Sequence, residues 1–116
     1  MNPSVLFIIT TDPRVSARPA EAMRIAAGVG TWKKVDLAVY LRGPAVLALI
    51  EQTDELVDEE NLVRYLPMAA GLGRPIYVER GAPLLSQPGR APVRFEEMAD
   101  DQLARLAAQS NYVVRF

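Results

Sequence analysis

Arg74-Pro75-Ile76-Tyr77-Val78-Glu79-Arg80-Gly81 is the stretch that decides the fold. It reads as a short buried strand that stops at a charged turn. A helical pattern precedes it, and a loop rich in proline and glycine follows. In an open parallel α/β sheet, ligands and reacting groups gather just beyond the carboxyl ends of the strands. Any chemistry is therefore expected near Glu79, Arg80 and Gly81.

Two further strands lie upstream. Val5-Leu6-Phe7-Ile8-Ile9 is a continuous apolar run bounded by Asn2-Pro3 and by Thr10-Thr11-Asp12-Pro13. Absence of alternation marks a strand covered on both faces, as in parallel sheets. Pro19 suits the first turn of a helix running from Ala20 to about Val29. Ala22, Ile25, Ala26 and Val29 form its inward stripe, and Gly28 and Gly30 loosen its end. Val35 to Leu41 is the second strand, stopped by Arg42-Gly43-Pro44. From Pro44 to Ile50 a short helix is apolar on every side, which predicts burial. In so small a domain part of that burial is expected from another subunit, with Trp32 beside it.

Glu51 to Glu60 is rich in acids. A calcium loop would need the ligand spacing and central glycine that this run lacks, so it reads as a solvated connection whose last acids favour a helix N-terminus. That helix spans Asn61 to about Leu72, kinked or divided at Pro67. Beyond the deciding stretch, residues 81 to 92 read as loop and Val93-Arg94-Phe95 as a short fourth strand. Met98, Leu103, Leu106 and Ala107 have helical spacing, with Asp100 and Asp101 in the first turn. Tyr112 to Phe116 reads as the last strand. Strands alternating with helices imply parallel pairing and right-handed crossovers. The expectation is one domain over residues 1–116: a three-layer α/β/α fold with a mainly parallel sheet of about five strands.

Composition narrows the chemistry. The 116 residues carry 13 basic and 14 acidic side chains, a net charge of −1. No field or basic run attracts nucleic acid or an anionic membrane. With neither cysteine nor histidine, thiolate nucleophiles, persulfides and the usual zinc and haem ligands are excluded. So is the commonest general base near neutral pH. The run from Val5 to Ile9 is too short for a secretory core, and no stretch approaches the ~18 apolar residues of a membrane span. A cytoplasmic protein is expected, with no cofactor and no metal.

The chain resembles the DsrE/DsrF-like proteins, small α/β subunits of bacterial sulfur relays. Four features in order carry the resemblance. They are Val5-Leu6-Phe7-Ile8-Ile9-Thr10 with the following helix Glu21-Ala22-Met23-Arg24-Ile25-Ala26; the strand Val35 to Leu41 closing on Arg42-Gly43; Gly73-Arg74-Pro75-Ile76-Tyr77-Val78-Glu79; and the leucines at 103 and 106 leading to Tyr112-Val113-Val114-Arg115-Phe116. The resemblance implies a parallel five-stranded sheet and a homo- or hetero-oligomer, often a trimer or a pair of trimers. In members that carry sulfur, a cysteine just past the third strand holds the persulfide. Glu79 stands at that position here, and a carboxylate cannot accept or pass on sulfane sulfur.

The candidate site is the rim shared by the strand ends: Thr11, Asp12, Arg14, Arg18, Arg42, Glu79 and Arg80. One reading is a pocket for a small anion, held by arginine forks and the helix N-terminus at Pro19. The other is that these charges pair with one another or line a subunit contact. Asp12 and Glu79 as an acid–base pair would need one to stay protonated, which neighbouring arginines oppose. Ser16 and Ser86 have no histidine, and Lys33 and Lys34 fall near the other end of strand two. The Gly28-Val29-Gly30 and Gly71-Leu72-Gly73 pairs follow helices, not strands, so they are not dinucleotide loops. Trp32 and the tyrosines at 40, 65, 77 and 112 show no interleaved basic stripe and read as core or interface packing. The expected function is a non-catalytic binding or assembly subunit, homo-oligomeric and without sulfur transfer. The alternative is a metabolite-binding protein or cysteine-independent enzyme working at the rim.

Overall fold

The structure is a computed structural model that describes residues 2–32, 34–49, 56–82 and 93–116. β1 (Ser4–Ile9) leads to α1 (Arg18–Thr31), β2 (Asp36–Leu41) and a 3-10 helix (Gly43–Leu49). α2 (Glu59–Ala70), β3 (Ile76–Glu79), β4 (Phe95–Met98), α3 (Asp100–Gln109) and β5 (Tyr112–Arg115) follow. The strands lie side by side in the order β4-β3-β2-β1-β5. All four pairings are parallel, with Phe7 opposite Val39 and Val114, Tyr40 opposite Tyr77, and Glu79 opposite Met98. The chain therefore has the three-layer α/β fold expected from its sequence.

From β1 to β4 the chain advances across the sheet in one direction, and β5 then returns to the far side of β1. With right-handed crossovers, that reversal puts the helix between β4 and β5 on the opposite face from the earlier helices. The packing agrees. On one face Phe7, Ile9, Leu37, Val39, Leu41, Ile76 and Val78 meet Ala22, Met23 and Ala26 of α1 and Leu62 and Leu66 of α2. The alanines let α1 lie close to the sheet. On the other face α3 brings Leu103, Leu106 and Ala107 against Leu6, Ala38, Tyr40 and Met98. The β1 and β2 runs are unbroken because neighbouring residues bury on opposite faces.

Arg74, in the deciding stretch, is a structural fork. Its Nη2 and Nε donate to the two carboxylate oxygens of Asp36 at 2.8 and 3.1 Å. That bidentate pair clamps the loop entering β3 to the start of β2, and its hydrogen bond to Asp36 raises the Arg74 pKa.

Several local expectations change. α1 runs through Gly28 and Gly30 to Thr31. Gly30 leaves room for Leu72, whose side chain would have to shift if a side chain were added there. α2 begins at Glu59, so Glu59 and Glu60 lie in its first turn, and it continues past Pro67 undivided. Pro67 and Val63, the residue whose carbonyl loses its donor, are both on the exposed face, where water can replace the missing N–H. β4 spans Phe95–Met98, shifted from the expected Val93–Phe95, so Met98 ends a strand and is buried under the sheet instead of opening a helix.

The Pro44 segment is a 3-10 helix, and Ala45 through Leu49 are buried within the single chain. Its described residues offer no apolar face to another subunit, because Ala45, Val46, Ala48 and Leu49 belong to the core shared with α1, α2 and the sheet. Among the described residues of that expected surface, Trp32 is the exposed one, at 74%. Residues 51–55 of the acid-rich stretch, Lys33, Ile50, Ser86 and residues 83–92 of the expected loop lie outside the described residues. Among the described residues no helix is long and apolar enough to cross a membrane.

Candidate functional site

Because every strand is parallel, all carboxyl ends lie on one rim. The chain leaving β2 enters the 3-10 helix on the α1 face, whereas the chain leaving β4 enters α3 on the other. Arg42 bridges the two connections. Its Nη1 donates to Asp100 Oδ1 at 3.0 Å and to the Tyr40 hydroxyl at 3.1 Å, and its Nη2 lies 3.2 Å from Glu79 Oε2. Asp100 is the first residue of α3, so its carboxylate also suits the positive end of that helix.

Glu79 holds a second partner. Its Oε1 accepts the Gly43 N–H at 3.2 Å. Gly43 has φ +58°, a left-handed turn that favours glycine, and it starts the 3-10 helix. One carboxylate thus ties the end of β3 to the turn leaving β2. The neighbouring turn is fixed in the same way: Glu97 Oε1 accepts the Gly81 N–H at 3.2 Å, and the Arg80 N–H donates to the Met98 carbonyl at 3.1 Å.

Asp12 and Arg14 pair with each other in the loop after β1. Arg14 Nη2 reaches Asp12 Oδ2 at 2.8 Å, and the Arg14 backbone N–H donates to Oδ1 at 2.8 Å. The Arg14 guanidinium holds the Asp12 carboxyl below the usual aspartate range. Arg18 opens α1, with its backbone N–H donating to Ser16 Oγ at 3.2 Å. Thr11 is half-buried, and the Arg80 side chain is exposed. Of the seven residues expected at the rim, two pairs are formed: Asp12 with Arg14, and Arg42 with Glu79. Asp12 and Glu79 each hold an arginine, so their carboxylates do not form the acid–base pair considered from sequence.

Two members of the Arg42 cluster were not among the expected site residues. Asp100 had a sufficient reason in the helix N-terminus, and Tyr40 looked like core. Tyr40 is core, with no exposure, yet its hydroxyl reaches the rim. Burial raises its pKa, partly offset by the Arg42 charge. Arg42 itself is held more firmly protonated, chiefly by its hydrogen bond to Asp100.

The Tyr40 shift gives an alkaline signature. In the unfolded chain a tyrosine ionises near pH ~10, whereas folded Tyr40 keeps its proton to higher pH. The unfolded state then binds fewer protons, so stability falls as pH rises from the ordinary value toward the raised one. Urea unfolding of the wild type is expected to show a falling midpoint over that window, and Tyr40→Phe to flatten that slope. An unchanged slope in the variant would place the loss elsewhere.

No family model matches the sequence, and no curated protein matches it either. Solved structures do. The crystal structure of the ychN protein from E. coli superposes with a TM-score of 0.79, covering 100% of each chain at 17% identity. At that identity the likeness is one of fold: the chain has a DsrE-like α/β fold.

Proposed function

We propose that the chain is a non-catalytic binding or assembly subunit built on the DsrE-like fold, acting as a homo-oligomer in the cytoplasm and transferring no sulfur. The observation that carries this reading is the engagement of Glu79. Both of its oxygens are held, one by Arg42 and one by the Gly43 N–H. The residue at the strand end is used to join β3 to the turn after β2. Arg42 is shared among Glu79, Asp100 and Tyr40, so an incoming anion would have to displace two carboxylates. These contacts support a rim whose charges serve the fold.

Incubating the purified protein with polysulfide, then measuring its intact mass, is expected to show no added sulfur. Thermal-shift titration with sulfate, phosphate and thiosulfate is expected to show no saturable rise, since a ligand of the native state stabilises with log occupancy. A stable sulfur adduct, or a saturating shift lost in Arg42→Met, would overturn the proposal in favour of a working rim.

A further inference from the structure

The two edges of the sheet differ in chemistry. β4 reads Phe95-Glu96-Glu97-Met98, with both carboxylates exposed. Charge on an edge strand is the usual guard against pairing with another chain. β5 reads Tyr112-Val113-Val114-Arg115, and Tyr112, Val113 and Val114 are 64%, 41% and 38% exposed. An exposed apolar edge is a template for strand addition. Only β1 pairs with it in the described structure.

We infer that the β5 edge joins a second copy of this chain, strand to strand and antiparallel, about a twofold axis through Val114. The inference deepens the assembly reading above and rests on it. The backbone allows it. Phe116 turns its N–H to Ile8 and its carbonyl to the Thr10 N–H, at 2.9 and 3.0 Å. By the alternation of a strand, Val114 also faces β1, while Val113 and Arg115 present their N–H and carbonyl groups outward. A twofold axis at Val114 sets Val113 of each copy opposite Arg115 of the other, so the outward groups of both residues are used.

The side chains fit the same register. Tyr112 and Val114 stand opposite Val5 and Phe7 of β1, and Phe116 touches Phe7 with ring centroids 5.0 Å apart. Tyr112, Val114 and Phe116 thus form one apolar row on the α1 face of the sheet. Across the axis the row meets itself reversed: Tyr112 opposite Phe116, Val114 opposite Val114, Phe116 opposite Tyr112. Aromatic and β-branched cross-strand pairs are the favourable ones. This self-complementarity selects a second copy over an unrelated strand. The acidic β4 edge closes the assembly, because each copy then has one usable edge and the contact is isologous. Five paired residues a side bury less than the ~800 Å² per partner of a standard interface. The contact is therefore reversible, and the copy number rises with concentration over the micromolar range.

Sedimentation velocity across that range tests it. The wild type is expected to reach an even copy number at the top of that range, and Val114→Lys, which places two ammonium groups face to face, to stay at half that number there. Val63→Lys, on the exposed face of α2, is expected to behave as wild type. Circular dichroism establishes that each variant is folded. Because the chain has no cysteine, Val114→Cys supplies a second readout that survives a folding failure of the lysine variant. Val114 opposite itself is a non-hydrogen-bonded pair with Cα atoms ~4.5 Å apart, within disulfide range, so mild oxidation is expected to give a covalent dimer that Val63→Cys does not give. A wild type that stays monomeric, including one that captures an extended peptide at this edge, overturns both the interface and the assembly reading. An oligomer that persists unchanged in folded Val114→Lys, or gives no covalent dimer through Val114→Cys, overturns the interface alone.

Discussion

Tyr40→Ala is expected to destabilise the domain by about 3–5 kcal/mol, the range for removing a large aromatic from a packed core. Tyr40 is the largest of the fully buried side chains. It stands on β2 at the centre of the sheet and packs beneath α3 with Leu6, Ala38 and Met98. Its loss opens a cavity under α3, and it removes the hydroxyl that receives Arg42. Domains of this size have a total stability of about 5–15 kcal/mol, so the variant approaches the limit of folding at room temperature. Tyr40→Phe keeps the ring and loses one hydrogen bond, at a cost of about 1 kcal/mol. Urea denaturation with a constant slope checks both. A loss below about 1 kcal/mol for the alanine variant would show that α3 can collapse onto the sheet without the ring.

The second large effect concerns Glu79. Glu79→Ala leaves the Gly43 N–H without its acceptor and frees Arg42 from one partner. About 1–2 kcal/mol of destabilisation is expected, most of it from the lost acceptor, because the Arg42 side chain is exposed enough for solvent to screen the ion pair. Glu79→Gln keeps an oxygen for Gly43 and is expected to lose about half as much. A double-mutant cycle of Glu79→Gln with Arg42→Met isolates the charge contribution, expected at about 0.5–1 kcal/mol. Hydrogen exchange gives a local readout: the Gly43 amide should lose protection in Glu79→Ala and retain most of it in Glu79→Gln. Equal loss in both variants would mean that the carboxylate charge, and not the acceptor, holds the turn.

The fold was legible because β1 and β2 are unbroken apolar runs, and such runs come from strands buried on both faces. β4 was harder. Glu96 and Glu97 sit on an exposed edge, where no apolar alternation is required, and they resemble the acidic start of a helix. Met98 then fell into register with Leu103 and Leu106 by spacing alone, although it is buried at the end of β4. At the rim, parallel pairing was enough to bring Arg42 near Glu79. Choosing Asp100 as the third member needed the order β4-β3-β2, which local pattern does not specify. Tyr40 was hidden for another reason: its ring belongs to the core while its hydroxyl belongs to the rim.

The pairing of β1 with β5 also bears on how the chain is made. Ser4 and Asn111, 107 residues apart, hydrogen-bond across this pair, with the Ser4 N–H donating to Asn111 Oδ1 at 2.8 Å. On a ribosome the first strand emerges long before its partner exists. Until Tyr112–Arg115 is synthesised, the outer edge of β1 is open and its apolar run unprotected. Closing so long a loop is slow compared with local helix formation, so this half of the sheet is completed only after β5 has left the exit tunnel. The nascent chain is most vulnerable to aggregation in that interval, and β5 is the strand that ends it.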